Sequence, residues 1–89
     1  MRLAKSESVI LTLLAARGDA YGLELVDASR GKLKRGGIYV TLGRMEEKGL
    51  VSSRAGDSGR RLYKPTALGE RALLAARIFA GQVPIKHLT

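Results

Sequence analysis

A winged helix-turn-helix fold, mainly α with a small β-hairpin, is predicted by three features of the 89-residue sequence: three helix-periodic stretches in its first half, two short β-forming segments around a glycine-rich turn, and a final apolar helical stretch. The expected order is α-α-α-β-β-α over residues 1–80, one domain, followed by an irregular tail over 81–89 interrupted by Pro84. A chain of this length with 45% apolar residues supports a single modest core.

The elements follow in order. Ser6 to Arg17 sets Val9, Leu13 and Ala16 on one stripe with Ile10 and Leu14 beside it, the broad apolar face of a core helix. Ser6 is the expected N-cap and Gly18 the stop. Asp19 is expected to cap a second helix through Tyr21, Leu23, Leu25 and Val26 to about Arg30; Gly22 inside it costs about 1 kcal/mol relative to alanine. The brief connection Gly31 to Lys34 suits a helix-turn-helix corner better than a linker.

A third helix is predicted over Arg35 to Lys48, with Ile38, Leu42 and Met45 on its core face and Thr41 flanking them. Its opposite face carries Gly36, Gly37, Val40, Gly43, Arg44 and Glu47, so most of its side chains are absent or small. Each glycine weakens a helix; what it offers is close approach of the backbone to another surface. Leu50 to Arg54 and Arg61 to Lys64 read as paired strands around the turn Ala55-Gly56-Asp57-Ser58-Gly59, and Pro65 ends the pairing. Thr66 caps the last helix, whose apolar surface, including Leu68, Leu74, Ile78 and Phe79, is wider than one small core needs.

Charge is concentrated where this fold would meet a ligand. Residues 30–64 hold ten cations and three anions, so they carry +7 of the chain's net +8. Such a field implies a polyanionic partner, and a helix plus ribbon matches double-stranded DNA. Lys32, Lys34, Arg35 and Arg44 surround the third helix, and Arg54, Arg60, Arg61 and Lys64 line the wing. With Gly36, Gly37, Tyr39, Val40 and Thr41 they form the expected DNA-binding set, gripping two backbone tracks of one duplex. Arg44 suits a guanine edge, Arg60 and Arg61 suit the minor groove or flanking phosphate, and the Tyr39 ring packs while its hydroxyl reaches a phosphate. Tyr63 and Tyr21 read as core residues, and Lys48 as a solvated cation at a helix end.

The runs AYGLELV, GGIYVTLGRMEEKGLV and GRRLYKPTALGERAL resemble the PadR family of bacterial transcriptional regulators, whose segments read approximately YGYEL, G-x-x-Y-x-x-L-x-R-L-E-x-x-G-L and R-x-Y-x-L-T-x-x-G. The similarity covers roughly residues 8 to 77, with Tyr39, Leu42, Arg44, Glu46, Gly49, Leu50, Tyr63, Thr66 and Gly69 at matching spacings; Met45 and Pro65 stand where the pattern has Leu. It implies a winged helix-turn-helix that binds DNA. It also implies a homodimer, since PadR proteins ordinarily pair through a C-terminal helix or helical domain. About 15 residues follow Thr66 before Gly81, so the resemblance implies DNA binding more strongly than effector sensing.

The expected function is a sequence-specific DNA-binding transcriptional regulator, a repressor acting as a homodimer through Leu74, Ile78 and Phe79. The alternatives are a structural protein that coats DNA cooperatively, of plasmid-partition or phage accessory type, and a winged-helix module that binds an acidic protein. No Ser-His-acid set, paired carboxylates or phosphate-cradling loop is present, and His87, the single histidine, has no partner in sequence, so no enzyme activity, metal or cofactor is expected. No small-molecule pocket is evident either. The chain lacks cysteine, a signal-peptide layout and any apolar run near the roughly 20 residues of a membrane span, which leads to the expectation of a bacterial cytoplasmic, nucleoid-associated protein.

Overall fold

The computed structural model describes residues 2–81. Its elements are α1 (Lys5–Arg17), β1 (Ala20–Tyr21), α2 (Gly22–Ala28), α3 (Ile38–Glu47), β2 (Val51–Ala55), β3 (Arg61–Pro65) and α4 (Ala67–Phe79), with one 3-10 turn, Asp57–Gly59, between β2 and β3. The core sits where the helices meet the root of the hairpin. Ile10 and Leu14 of α1, Leu25 of α2, and Leu42 and Met45 of α3 close over Leu50, Val51 and Tyr63, all buried. Burial of this apolar set is the main stabilising term, at roughly 1.5–3 kcal/mol for each large aliphatic side chain. Among the described residues no helix is long and apolar enough to cross a membrane.

The winged helix-turn-helix plan is present, with one strand more than expected. Ala20 pairs with Tyr63 and Tyr21 with Leu62, so β1 joins β3 to give an antiparallel sheet of order β1-β3-β2. Asp19 therefore does not cap the second helix. Tyr21 holds the N-cap position, and its amide donates to Glu24 Oε1 at 2.8 Å. The helix stops at Ala28 instead of Arg30, because Arg30 and Gly31 reverse the chain at φ +53° and +86°. Ser6 likewise lies inside α1 rather than at its cap: Ala4 precedes the helix and donates its amide to Glu7 Oε1 at 2.8 Å.

The third helix is shorter than its sequence period suggests. Arg35 to Gly37 form a turn, closed by the Gly37 amide on the Lys34 carbonyl at 3.2 Å, and α3 begins at Ile38. Two adjacent glycines, each about 1 kcal/mol worse than alanine in a helix, explain why the periodic run is not helical from its start. Gly36 and Gly37 thus belong to the approach to the helix and only Gly43 to its body. Thr66 caps α4 as expected, accepting from the Gly69 amide at 3.0 Å while its own amide donates to the Leu50 carbonyl at 3.1 Å. A Cβ on Gly69 would run into that same carbonyl oxygen, so glycine is what lets α4 lie on the root of the hairpin. Of the expected tail, residues 82–89, His87 among them, lie outside the described residues.

Candidate nucleic-acid interface

α3 splits cleanly into two faces. Ile38, Leu42 and Met45 are buried at 0–2% exposure, and they fix the helix on the core. The other face carries Tyr39 at 50% and Val40 at 58% exposure, then Arg44 and Glu47, with Gly43 and Thr41 half-buried at its margins. Arg44 enters no ion pair among the described residues, where the two pairs are Lys48 with Glu7 and Arg54 with Asp19. Lys32, Lys34 and Arg35, in the exposed approach to α3, are likewise outside those pairs.

The glycines around this face are not required by packing. A Cβ at Gly36, Gly37 or Gly43 would have no neighbour within 4 Å, and Gly37 sits at an ordinary φ of −118°. Gly22 is the contrasting case. A Cβ there would come within 2.8 Å of the Tyr39 ring, so this glycine, which opens α2 instead of lying inside it as expected, lets α2 and α3 close on each other through that ring. Tyr39 is accordingly half-anchored, with its exposed part beside Val40.

The wing holds its cations in several ways. Strand alternation puts Ser53, Arg61 and Tyr63 on one face of the ribbon, and Arg54, Leu62 and Lys64 on the other. The first face turns toward α3: Ser53 Oγ donates to Glu46 Oε2 at 2.8 Å, and Arg61 donates to Ser53 Oγ and to its carbonyl at 3.1–3.2 Å. On the second face Arg54 pairs with Asp19 at 2.6 Å, and Lys64 is exposed without an ion pair among the described residues. The four wing cations are therefore not one continuous patch, because neighbouring residues in a strand point to opposite sides.

Tyr21 clasps the wing tip. Its hydroxyl accepts from the Asp57 amide at 3.0 Å, and the Arg60 guanidinium lies 4.0 Å from its ring centroid. A Cβ on Gly56 would come within 2.6 Å of the same ring. Tyr21 is thus half-buried under the hairpin tip and not in the core, contrary to the sequence expectation. The sequence carried a partial signal, since Glu24 stands three residues after Tyr21 at capping-box spacing, which marks Tyr21 as the entry to α2.

Lys48 also differs from its expected role as a solvated helix-end cation. Its Nζ lies 2.7 Å from Oε2 of Glu7, a carboxylate only 5% exposed, and so ties the end of α3 to α1. Burial pushes the Glu7 carboxyl up, but the Lys48 hydrogen bond, the Ala4 amide and the Lys48 charge outweigh it, and the group titrates below its ordinary range. Tyr63 shifts the opposite way: burial and then the Glu46 charge hold its phenol above the usual value.

α4 presents two apolar margins. Leu73 and Ala76 face α1, where an open groove of about 420 Å³ runs between the helices with Val9 and Leu13 in its wall. Leu74, 37% exposed, and Phe79, 93% exposed, do not line that groove, and Ile78 is half-buried.

The family model of the transcriptional regulator PadR-like family matches residues 10–75, most of the chain and all of the elements from α2 to β3. The chain belongs to that family. The PadR-like residues that carry the pattern mostly build the fold: Leu42 and Leu50 are buried, Gly49 turns at φ +79°, Thr66 caps α4 and Gly69 admits it. Tyr39, Arg44 and Glu46 are the pattern residues on the exposed side of α3, while Val40 and Gly43 fall at positions the pattern leaves open. The family is one of transcriptional regulators.

Solved structures share the fold of this PadR-like chain. A MarR family protein from Bacillus stearothermophilus superposes with a TM-score of 0.75 at 22% identity, over 92% of this chain and 56% of that one. The PcaV transcriptional regulator from Streptomyces coelicolor, solved with its natural ligand, gives 0.71 at 18% identity over 98% and 67%. The hsRosR protein, solved as a complex, gives 0.74 at 27% identity over 88% and 70%. The chain thus spans 56–70% of the length of these proteins. No curated protein matches the sequence.

Proposed function

We propose that this chain binds double-stranded DNA sequence-specifically and acts as a homodimeric repressor, each subunit laying α3 in the major groove of one half-site and its wing on the adjoining backbone. The observation that carries the reading is the outer face of α3. Arg44 enters no ion pair among the described residues, and a Cβ at Gly36, Gly37 or Gly43 would meet no neighbour within 4 Å. Exposed Lys32, Lys34 and Arg35 in the approach, with Arg60 and Arg61 on the wing, supply the positive field for phosphate. Leu74, Ile78 and Phe79 on α4 are the proposed subunit contact, because Leu74 and the Phe79 ring, 93% exposed, stand uncovered on α4 among the described residues.

Selection of bound duplexes from a random pool, followed by footprinting, tests this directly. The expected product is an inverted repeat whose half-sites lie about 34–36 Å apart, protected by two protomers. Binding that stays indifferent to sequence and spreads over long DNA would support a coating protein instead. Duplex affinity unchanged by Arg44→Ala and by the double change Arg60→Ala/Arg61→Ala would remove the DNA reading altogether.

A further inference from the structure

We infer that Val40 is a specificity-determining residue that reads the C5-methyl group of a thymine in the half-site; this rests on the DNA-binding reading above and adds the base that is recognised. Val40 lies in the first turn of α3, the part of a recognition helix that meets base edges. At 58% exposure it is the most exposed apolar side chain of that helix, and among the described residues it belongs neither to the core nor to the apolar side chains packed against it. Valine is also a poor choice for a solvent-facing helix position on propensity alone, since its branched side chain loses rotamer freedom there.

The surroundings of Val40 fit this single use. Its neighbours along the helix surface are Gly36 and Gly37 before it and Gly43 and Arg44 after it, so it stands on a backbone ridge with no other apolar group beyond Tyr39. Valine is short, and it touches a methyl on the groove floor only if the backbone comes close. Glycine at 37 and 43, with open space where a Cβ would be, allows that approach. In the major groove the thymine methyl is the one apolar mark among base edges, and a small apolar side chain is its natural complement. The net +7 of residues 30–64 matches the polyanion that presents this mark. One turn beyond, the Arg44 guanidinium is set to take a guanine O6/N7 edge, so the half-site is expected to place a T close to a G.

The test uses the full chain and the duplex enriched from a random pool. Each thymine of one half-site is replaced singly by deoxyuridine, which removes only the methyl, and affinity is measured for the wild type and for Val40→Ala. One position should weaken wild-type binding roughly fourfold, the worth of one buried methyl. Val40→Ala should bind the thymine duplex more weakly and show a smaller thymine/uracil difference. A wild type indifferent to every replacement, or a Val40→Ala variant that keeps the full difference, overturns the inference while leaving DNA binding intact. Failure to enrich any duplex overturns the DNA reading first and this inference with it.

Discussion

The outer face of α3 and the wing are both basic, but they hold their groups differently. On α3 the Arg44 guanidinium enters no described ion pair, and glycines stand where the fold would accept a side chain. On the wing three cations are already engaged by the protein: Arg54 by Asp19, Arg60 by the Tyr21 ring and Arg61 by Ser53. The difference teaches how one small domain can divide recognition. A helix that reads base edges needs unsatisfied donors and a close backbone, whereas a ribbon that rests on a charged backbone benefits from side chains held in place beforehand.

Four substitutions break or sharpen that contrast. Arg44→Ala has the largest expected effect, a loss of about 1–3 kcal/mol in operator affinity with relaxed preference at one base pair, measured by titration against single-position operator variants. Lys48→Met tests what anchors the C-terminal end of α3. Breaking a buried ion pair costs about 3–5 kcal/mol, and the half-exposed lysine reduces this to about 1–2 kcal/mol in urea unfolding at pH 7. The Glu7 carboxyl titrates low in the folded chain, so its contribution is present above the ordinary carboxylate range and lost as pH falls through its folded value. The acid limb of stability should therefore be shallower in Lys48→Met than in the wild type.

Gly43→Ala should move stability and binding in opposite directions. The new methyl meets open space, so the fold gains about 1 kcal/mol in thermal unfolding while operator affinity falls. An alanine variant that binds as well as the wild type would show that close approach of α3 is not required. Tyr21→Phe is the mildest change. It removes the acceptor for the Asp57 amide and should cost about 0.5–1 kcal/mol, seen as faster hydrogen exchange at that amide, with the ring still under Arg60 and the salt dependence of DNA binding unaltered.

The helices and hairpin were legible because apolar periodicity and turn chemistry are local. Ile38, Leu42 and Met45 face the core as their spacing requires, and Thr66 caps α4 as its chemistry suggests. β1 leaves no mark in the sequence because two residues carry no period, and Asp19 before them resembles a helix cap. Periodicity overextends α3 at its start because Arg35 to Gly37 keep the helical spacing while two glycines remove the tendency to follow it. The composition of the candidate interface was visible as a basic window, but its internal bonds were not. Arg54 meets Asp19 across 35 residues and Lys48 meets Glu7 across 41, and no spacing rule in a single sequence connects such positions.

The place of β3 in the sheet has a consequence for life at high local concentration. β3 pairs with β2 along all five of its residues and with β1 at Leu62 and Tyr63, so its middle is shielded on both flanks. One rim is only two residues long, and the five-residue rim carries a guanidinium at Arg54. Each is a poor template for a foreign strand, which disfavours edge-to-edge pairing between crowded copies.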